Sequence, residues 1–218
     1  MIEEEKKIKI KVMTLGNYSV GKTSFIQRVI SNKFTYSHFS TIGYDYKFKD
    51  IILPNGEKVT IQFIDTAGQE RFFSIAKNMI KNADGIILIY DITKKQTFES
   101  ISNWMENIRE NKGENFPIIL IGNKSDLEDE REISKEEGEA KANQLKLHFF
   151  ETSNKDGINI EKSVIQLINK IFEQKNADIH LKENDIQSNK EKKKKGFKLF
   201  SLFKSKSKSE KNKNKRKC

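Results

Sequence analysis

The segment "IKIKVMTLGNYSVGKTSFIQRVIS", residues 8–31, constrains the fold more than any other part of the chain. From Ile8 apolar residues alternate with Lys, the period of a strand with one wet face. Gly16, Gly21, Lys22 and Thr23 then complete the pattern G-x-x-x-x-G-K-[ST]. "KTSFIQRVIS" continues with helical spacing. A strand, a glycine loop and a helix N-terminus in that order turn backbone N–H groups and a positive dipole end toward anionic oxygens. The pattern predicts a phosphate cradle running through Ser19, Val20, Gly21, Lys22, Thr23 and Ser24, with Lys22 reaching the outer phosphates and the Thr23 hydroxyl on Mg²⁺. Tyr18 is the odd member, a bulky ring where a small residue is expected beside a terminal phosphate.

The remaining pattern is an alternation of strands and helices. "YDYKFKDIIL" and "KVTIQFID" read as an antiparallel hairpin turning at Pro54-Asn55-Gly56. "GIILIYDI" and "PIILIGN" are short continuous apolar runs, as in strands buried on both faces. "QTFESISNWMENIRE" between them is an amphipathic helix with Phe98, Ile101, Met105 and Ile108 on one side. A helix from near Ser134 leads to a sixth strand, "LHFFETS". "NIEKSVIQLINKIFEQ" closes the pattern with a stripe of Ile160, Val164, Leu167, Ile168 and Ile171. The expected fold is α/β, a mixed and mainly parallel six-stranded sheet with helices on both faces. After about Lys175 no periodic face continues. The chain is thus read as a domain over residues 1–175 and a flexible basic tail over 176–218.

Charge sharpens that division. The chain carries 41 Lys and Arg against 31 Asp and Glu, a net +10. Residues 190–218 hold 14 of the basic and 2 of the acidic side chains, leaving 27 against 29 before them. The body is therefore near neutral, and the basic excess is a local patch rather than the signature of a nucleic-acid-binding fold. No apolar run is long enough for a transmembrane helix. The N-terminus has no apolar core of the secretory kind, and Ile2 excludes N-myristoylation. A single cysteine, Cys218, excludes an internal disulfide and suits a reducing compartment.

Three further motifs follow the glycine loop in order, each at a strand end. "DTAG" ends the third strand with Asp65, a carboxylate able to hold Mg²⁺ through water, and Gly68, whose N–H can sense a γ-phosphate. "NKSD", Asn123 to Asp126, follows a buried strand at the carboxyl edge where ligands sit. A carboxylate at Asp126 can accept from both N1–H and the 2-amino group of guanine. Adenine offers no such pair, so GTP is selected over ATP. Lys124 can lie across the base, and "ETSNK", Glu151 to Lys155, closes over it.

On these motifs the chain resembles the Ras superfamily of small GTPases over Lys7 to about Gln174. Within that superfamily it is most similar to the Rab family, through "STIGYDYKFKDI", "DTAGQERF" and "YDITKKQTFESISNW". The resemblance implies a P-loop GTPase fold and slow intrinsic hydrolysis of GTP to GDP, with GTP, GDP and Mg²⁺ as ligands. It matches Thr41 to the threonine that binds Mg²⁺ and the γ-phosphate, and Gln69 to the glutamine that orients attacking water. Lys22 joins these two as the catalytic set. Phe34 matches the aromatic stacked on guanine, and His38 a residue covering the phosphates. Asn123, Lys124 and Asp126 match the base-reading motif, with Ser153, Asn154 and Lys155 as its companion loop. The expected partners are an exchange factor, a GTPase-activating protein, effectors and a prenyl-binding escort. The expected location is the cytoplasmic face of an intracellular membrane, in exchange with cytosol, in vesicle trafficking.

The departures from the family are specific. Asn154 stands where alanine is usual. Of three aromatics read by effectors the first is Tyr46, the second position is Ile64, and "NMIKNA" with Met79 lacks the usual tyrosines. Tyr18 either blocks an activator's catalytic group or points outward. In the tail, Phe197, Leu199, Phe200, Leu202 and Phe203 lie inside the basic block, as in a segment that dips into an anionic membrane. Cys218 is a lone terminal cysteine where paired or near-terminal ones are usual. One prenyl chain there plus the basic stretch meets the two-signal requirement for anchoring. Two other functions fit parts of the sequence: a nucleotide-locked scaffold with weak hydrolysis, and a nuclear or nucleic-acid-binding protein acting through its tail.

Overall fold

The computed structural model describes residues 8–35, 43–53, 56–66 and 73–177. The chain divides into two units, Met1–Phe172 and Glu173–Cys218, and the architecture below is that of the first. Strand β1 is Ile8–Leu15, helix α1 Lys22–Ser31, β2 Tyr44–Ile52 and β3 Lys58–Thr66. Helix α2 is Phe73–Asn82, β4 Gly85–Asp91, α3 Lys95–Glu99 and α4 Ile101–Lys112. Strand β5 is Ile118–Asn123, α5 Lys135–Leu145 and β6 His148–Thr152, and α6 covers residues 160–177.

The six strands form one sheet in the order β2-β3-β1-β4-β5-β6. β2 runs antiparallel to β3, and every other neighbour is parallel. The strand alternation divides the core in two. Ile10, Val12, Ile61, Phe63, Ile87, Ile89, Ile119 and Ile121 pack with Phe25 and Ile26 of α1 and Val164, Leu167 and Ile168 of α6. Met13, Leu15, Ile64, Ile86, Leu88, Ile118 and Leu120 face Ile80 of α2, Ile101, Met105 and Ile108 of α4, and Ala142 of α5. Helices thus cover both faces. The period of two places successive residues on opposite sides, so one apolar run serves two cores.

The hairpin, the buried runs and the closing stripe form as their patterns predict. Ser134 caps α5 through a capping box, its hydroxyl accepting from Glu137 N–H while the Glu137 carboxylate accepts from Ser134 N–H. Two expectations need correction. β1 has a wet face only at its start, because Val12 to Leu15 are buried on both sides between β3 and β4. The helix between β4 and β5 is assigned as two pieces that meet at Ser100, whose hydroxyl bonds back to Gln96 O at 2.8 Å. Ser100 itself keeps helical angles, φ −67° and ψ −14°, so the path barely bends. The closing helix runs to residue 177, about where the periodic face ends. Pro54 and Asn55 lie outside the described residues, but Gly56 has φ 85° and its N–H donates to Leu53 O at 2.8 Å, the mark of a tight turn.

Candidate nucleotide site

The chain leaves β1 toward β3 on one side and β4 on the other, so the sheet order reverses next to β1, and the carboxyl ends of the strands open a crevice there. The glycine loop occupies that point. A Cβ at Gly16 would lie 2.1 Å from Ile89 O, and its φ of +139° is open only to glycine. The loop therefore passes directly over β4.

Buried charges collect on the phosphate side. Lys22 is 5% exposed, and its ammonium donates to Gly16 O at 3.0 Å and Asn17 O at 2.8 Å. Burial draws its pKa down to about 8, with the Asp65 carboxylate opposing the shift. Asp65, at the end of β3, is 1% exposed. Burial raises its pKa; a hydrogen bond from Thr23 is the largest opposing influence, then Lys47 and Lys22, while Asp45 adds to the rise. Its Oδ1 is buried without a hydrogen-bond partner among the described residues. A hydroxyl and a carboxylate, one of its oxygens unsatisfied, form a hard-oxygen donor set that fits Mg²⁺. On the outer flank, Asn17 accepts from Trp104 Nε1–H at 2.9 Å and donates to Ser100 Oγ at 3.0 Å. That contact ties the loop to α4.

The base side is built from strand ends in register: Asp91 pairs with Asn123, and Asn123 with Thr152. Asn123 is 1% exposed, donates from Nδ2 to Val20 O at 2.8 Å and accepts from the Thr152 hydroxyl at 3.1 Å. Lys124 adopts φ 73°, and its ammonium pairs with the buried Asp91 carboxylate at 2.6 Å. The Ser153 hydroxyl donates to Asp126 Oδ1 at 2.7 Å and accepts from Asp156 N–H at 2.9 Å. Asn154 Nδ2 donates to Gly21 O at 2.9 Å. Arg28, on α1, donates from Nε to Asn154 O at 2.7 Å and from Nη2 to Lys155 O.

The structure thus brings Lys22, Thr23 and Asp65 together on one side, and Asn123, Asp126, Ser153 and Asn154 on the other. Ser19 is exposed with φ 63°, Val20 is buried, Ser24 and Phe34 are half-buried, and Lys155 is exposed. His38, Thr41, Gly68, Gln69 and Cys218 lie outside the described residues. Of the three effector positions, Tyr46 is 45% exposed, whereas Ile64 is 2% exposed and Met79 packs against the same core. The open aromatics of that edge are Tyr44, Tyr46 and Phe48 on β2, the last 60% exposed. Sequence reasoning missed Asn17, Arg28, Asp91 and Trp104. Asp91 had a readable signal, a carboxylate closing a buried strand at the ligand edge; Arg28 had none, being one basic residue on a helix.

Comparison with known proteins agrees with this architecture. Residues 11–173 match the Ras family. Ras-related protein Rab-10 of Diplobatis ommata is 43% identical over 163 residues, covering 75% of this chain and 81% of that protein. Ras-related protein Rab-3C of Bos taurus is 42% identical over 158 residues, 72% of this chain and 69% of the relative. Ras-related protein Rab-12 of Mus musculus is 41% identical over 172 residues, 78% of this chain and 70% of the relative. With the glycine loop over the strand ends and the family match spanning most of the chain, the protein belongs to the Ras family and is a Rab-like small GTPase.

Proposed function

We propose that the chain is a membrane-attached GTP/GDP switch of vesicle trafficking, with its nucleotide between the glycine loop and the ends of β5 and β6. The observation that supports this reading best is the pairing of two unlike half-sites. A buried ammonium and a buried carboxylate lie within electrostatic reach of each other on one side, and the Asp126 carboxylate is oriented by Ser153 on the other. Lys22 and the N–H groups from Ser19 to Ser24 hold phosphate oxygens; Lys22 leaves the Gly16 and Asn17 carbonyls to do so. Asp126 accepts from the guanine edge, Lys124 lies along the base, and the N–H groups of Ser153 to Lys155 meet its oxygen. Phe34 and His38 cover base and phosphates. Thr23, Thr41 and, through water, Asp65 hold Mg²⁺, which when bound neutralises charge on the phosphate oxygens. Gln69 orients the attacking water, Gly68 senses the γ-phosphate, and Thr41 and Lys22 complete the catalytic set.

In the GTP form the segments carrying Thr41 and Gln69 are ordered for an effector, and hydrolysis releases them. Exchange factor, activator and prenyl-binding escort complete the cycle, with no role for nucleic acid. Residues 1–175 form the GTPase domain. The tail, 176–218, anchors it to the cytoplasmic face of an intracellular membrane through prenylated Cys218 and its basic, aromatic stretch. Mass spectrometry of Cys218 in protein from its own cells should show a prenyl group; an unmodified C-terminus throughout refutes the anchor.

Tyr18 is 56% exposed, so the ring stands on the surface of the loop that an activator must approach. On this reading nucleotide binding is normal and activated hydrolysis is slow. Single-turnover GTP hydrolysis of wild type and Tyr18→Gly, each with and without an activator and Mg²⁺, tests it. The glycine variant should gain most in the activated reaction; equal rates throughout reject the role of Tyr18. Absence of any hydrolysis favours the nucleotide-locked scaffold.

A further inference from the structure

We infer that the Asn154 side chain is a positioning residue for the phosphate cradle, aiming the Lys22 N–H by holding the Gly21 carbonyl. The inference rests on the nucleotide site proposed above. A peptide unit is planar and trans, so its C=O and N–H point in opposite directions. Whatever fixes the Gly21 carbonyl also fixes the direction of the Lys22 N–H, and whatever fixes the Val20 carbonyl fixes the Gly21 N–H. Two buried amides do this side by side. Asn123 Nδ2 donates to Val20 O at 2.8 Å, and Asn154 Nδ2 donates to Gly21 O at 2.9 Å. Phe25 N–H also donates to Gly21 O at 2.8 Å, the helical bond of α1, so both lone pairs of that carbonyl are taken.

The arrangement demands glycine at position 21. Its φ is +97°, and a Cβ there would lie 2.4 Å from Asn123 Nδ2 and 2.8 Å from Asn154 Nδ2. The second amide is itself well anchored. Asn154 is 4% exposed, and Arg28 Nε donates to its backbone oxygen at 2.7 Å. Because the partner is a carbonyl, the amide must present nitrogen, which leaves Asn154 Oδ1 buried with no partner among the described residues. A buried acceptor left unsatisfied is unfavourable on its own. Packing alone is therefore a poor reason to place this amide here, and the bond to Gly21 O offsets that loss. A loop nominally concerned with the base thus sets the geometry of donors that face phosphate. On the site proposed above the nucleotide lies between these two loops, so a bond that joins them slows its release.

The test uses the full-length chain loaded with a fluorescent GDP analogue in Mg²⁺ and chased with excess GDP, alongside competition by GDP and GMP. Asn154→Ala should release the analogue about three- to ten-fold faster, the effect of one net hydrogen bond. It should also lose affinity for GDP more than for GMP. Asn154→Asp keeps the shape but turns a carboxylate oxygen toward Gly21 O, and should release faster than Asn154→Ala. Melting of the nucleotide-free variants reports folding separately from release. Release within two-fold of wild type in both variants overturns the inference. So does a wild-type rate in Asn154→Asp, which would mean that shape alone matters, or equal losses for GDP and GMP. Failure of the wild-type chain to retain the analogue would defeat the nucleotide site itself and the inference with it.

Discussion

The two halves of the crevice differ in how their buried polar groups are satisfied. On the base side Asn123, Thr152, Ser153, Asn154 and Asp126 bond to one another and to the loop carbonyls. On the phosphate side Lys22 and Asp65 are as deeply buried, yet their charges are poorly compensated: burial lowers the pKa of Lys22 and raises that of Asp65. The first half finds most of its partners within the fold, Asn154 Oδ1 and Ser125 Oγ excepted among the described residues. The second holds a buried lysine and a buried carboxylate that compensate each other only in part, and a bound phosphate and cation would complete them.

That contrast predicts opposite responses to substitution. The largest effect should come from Asn123→Ala, which strands the Val20 carbonyl and the Thr152 hydroxyl in the core. Nucleotide-free protein should lose about 2–4 kcal/mol, seen as a fall in Tm or in the urea midpoint. Lys22→Met removes a buried charge instead, and should leave stability unchanged or raised while GDP affinity falls about a hundred-fold or more. A large loss of stability in Lys22→Met would break the comparison.

A pH series sharpens it. Below about 8 the buried Lys22 ammonium is charged in both folded and unfolded chains, and its burial penalty is fully present. Between there and the ordinary lysine value the unfolded chain binds more protons, so stability of nucleotide-free protein rises with pH. Lys22→Met should lack that rise. Asp65 acts in the opposite sense: its raised pKa favours folding at low pH, a contribution lost as pH rises through the carboxylate range. Asp65→Asn should stabilise the metal-free protein by about 1 kcal/mol and abolish the effect of Mg²⁺ on GDP retention. The smallest effect is expected for Trp104→Phe, which removes the bond to Asn17 and should cost about 0.5 kcal/mol.

Much of this architecture was legible in the chain. The two all-apolar runs of β4 and β5 announced strands buried on both faces, and the glycine spacing announced the loop between β1 and α1. Those signals are local: side-chain period and φ preference act over a few residues. What could not be read is which distant groups complete each polar atom. Arg28 bonds to the backbone of Asn154 and Lys155, 126 and 127 residues away in sequence. Nor could the chain say whether Ile64, which stands at the second effector position, faces a partner: it is buried, because its face of β3 lies over the core shared with α2 and α4.

By itself the sequence determined the order of the strands and of every helix but α2, which it did not show, together with the phosphate loop, the choice of guanine and the family, because each rests on residue types at short fixed spacing. Tertiary structure decided which face of β1 is dry, that Asp65 lies buried against Thr23, and that Asn154 holds the glycine loop rather than merely lining the base. The reason is physical. Burial and hydrogen-bond partnership depend on groups that only the folded sheet brings within about 3 Å of one another.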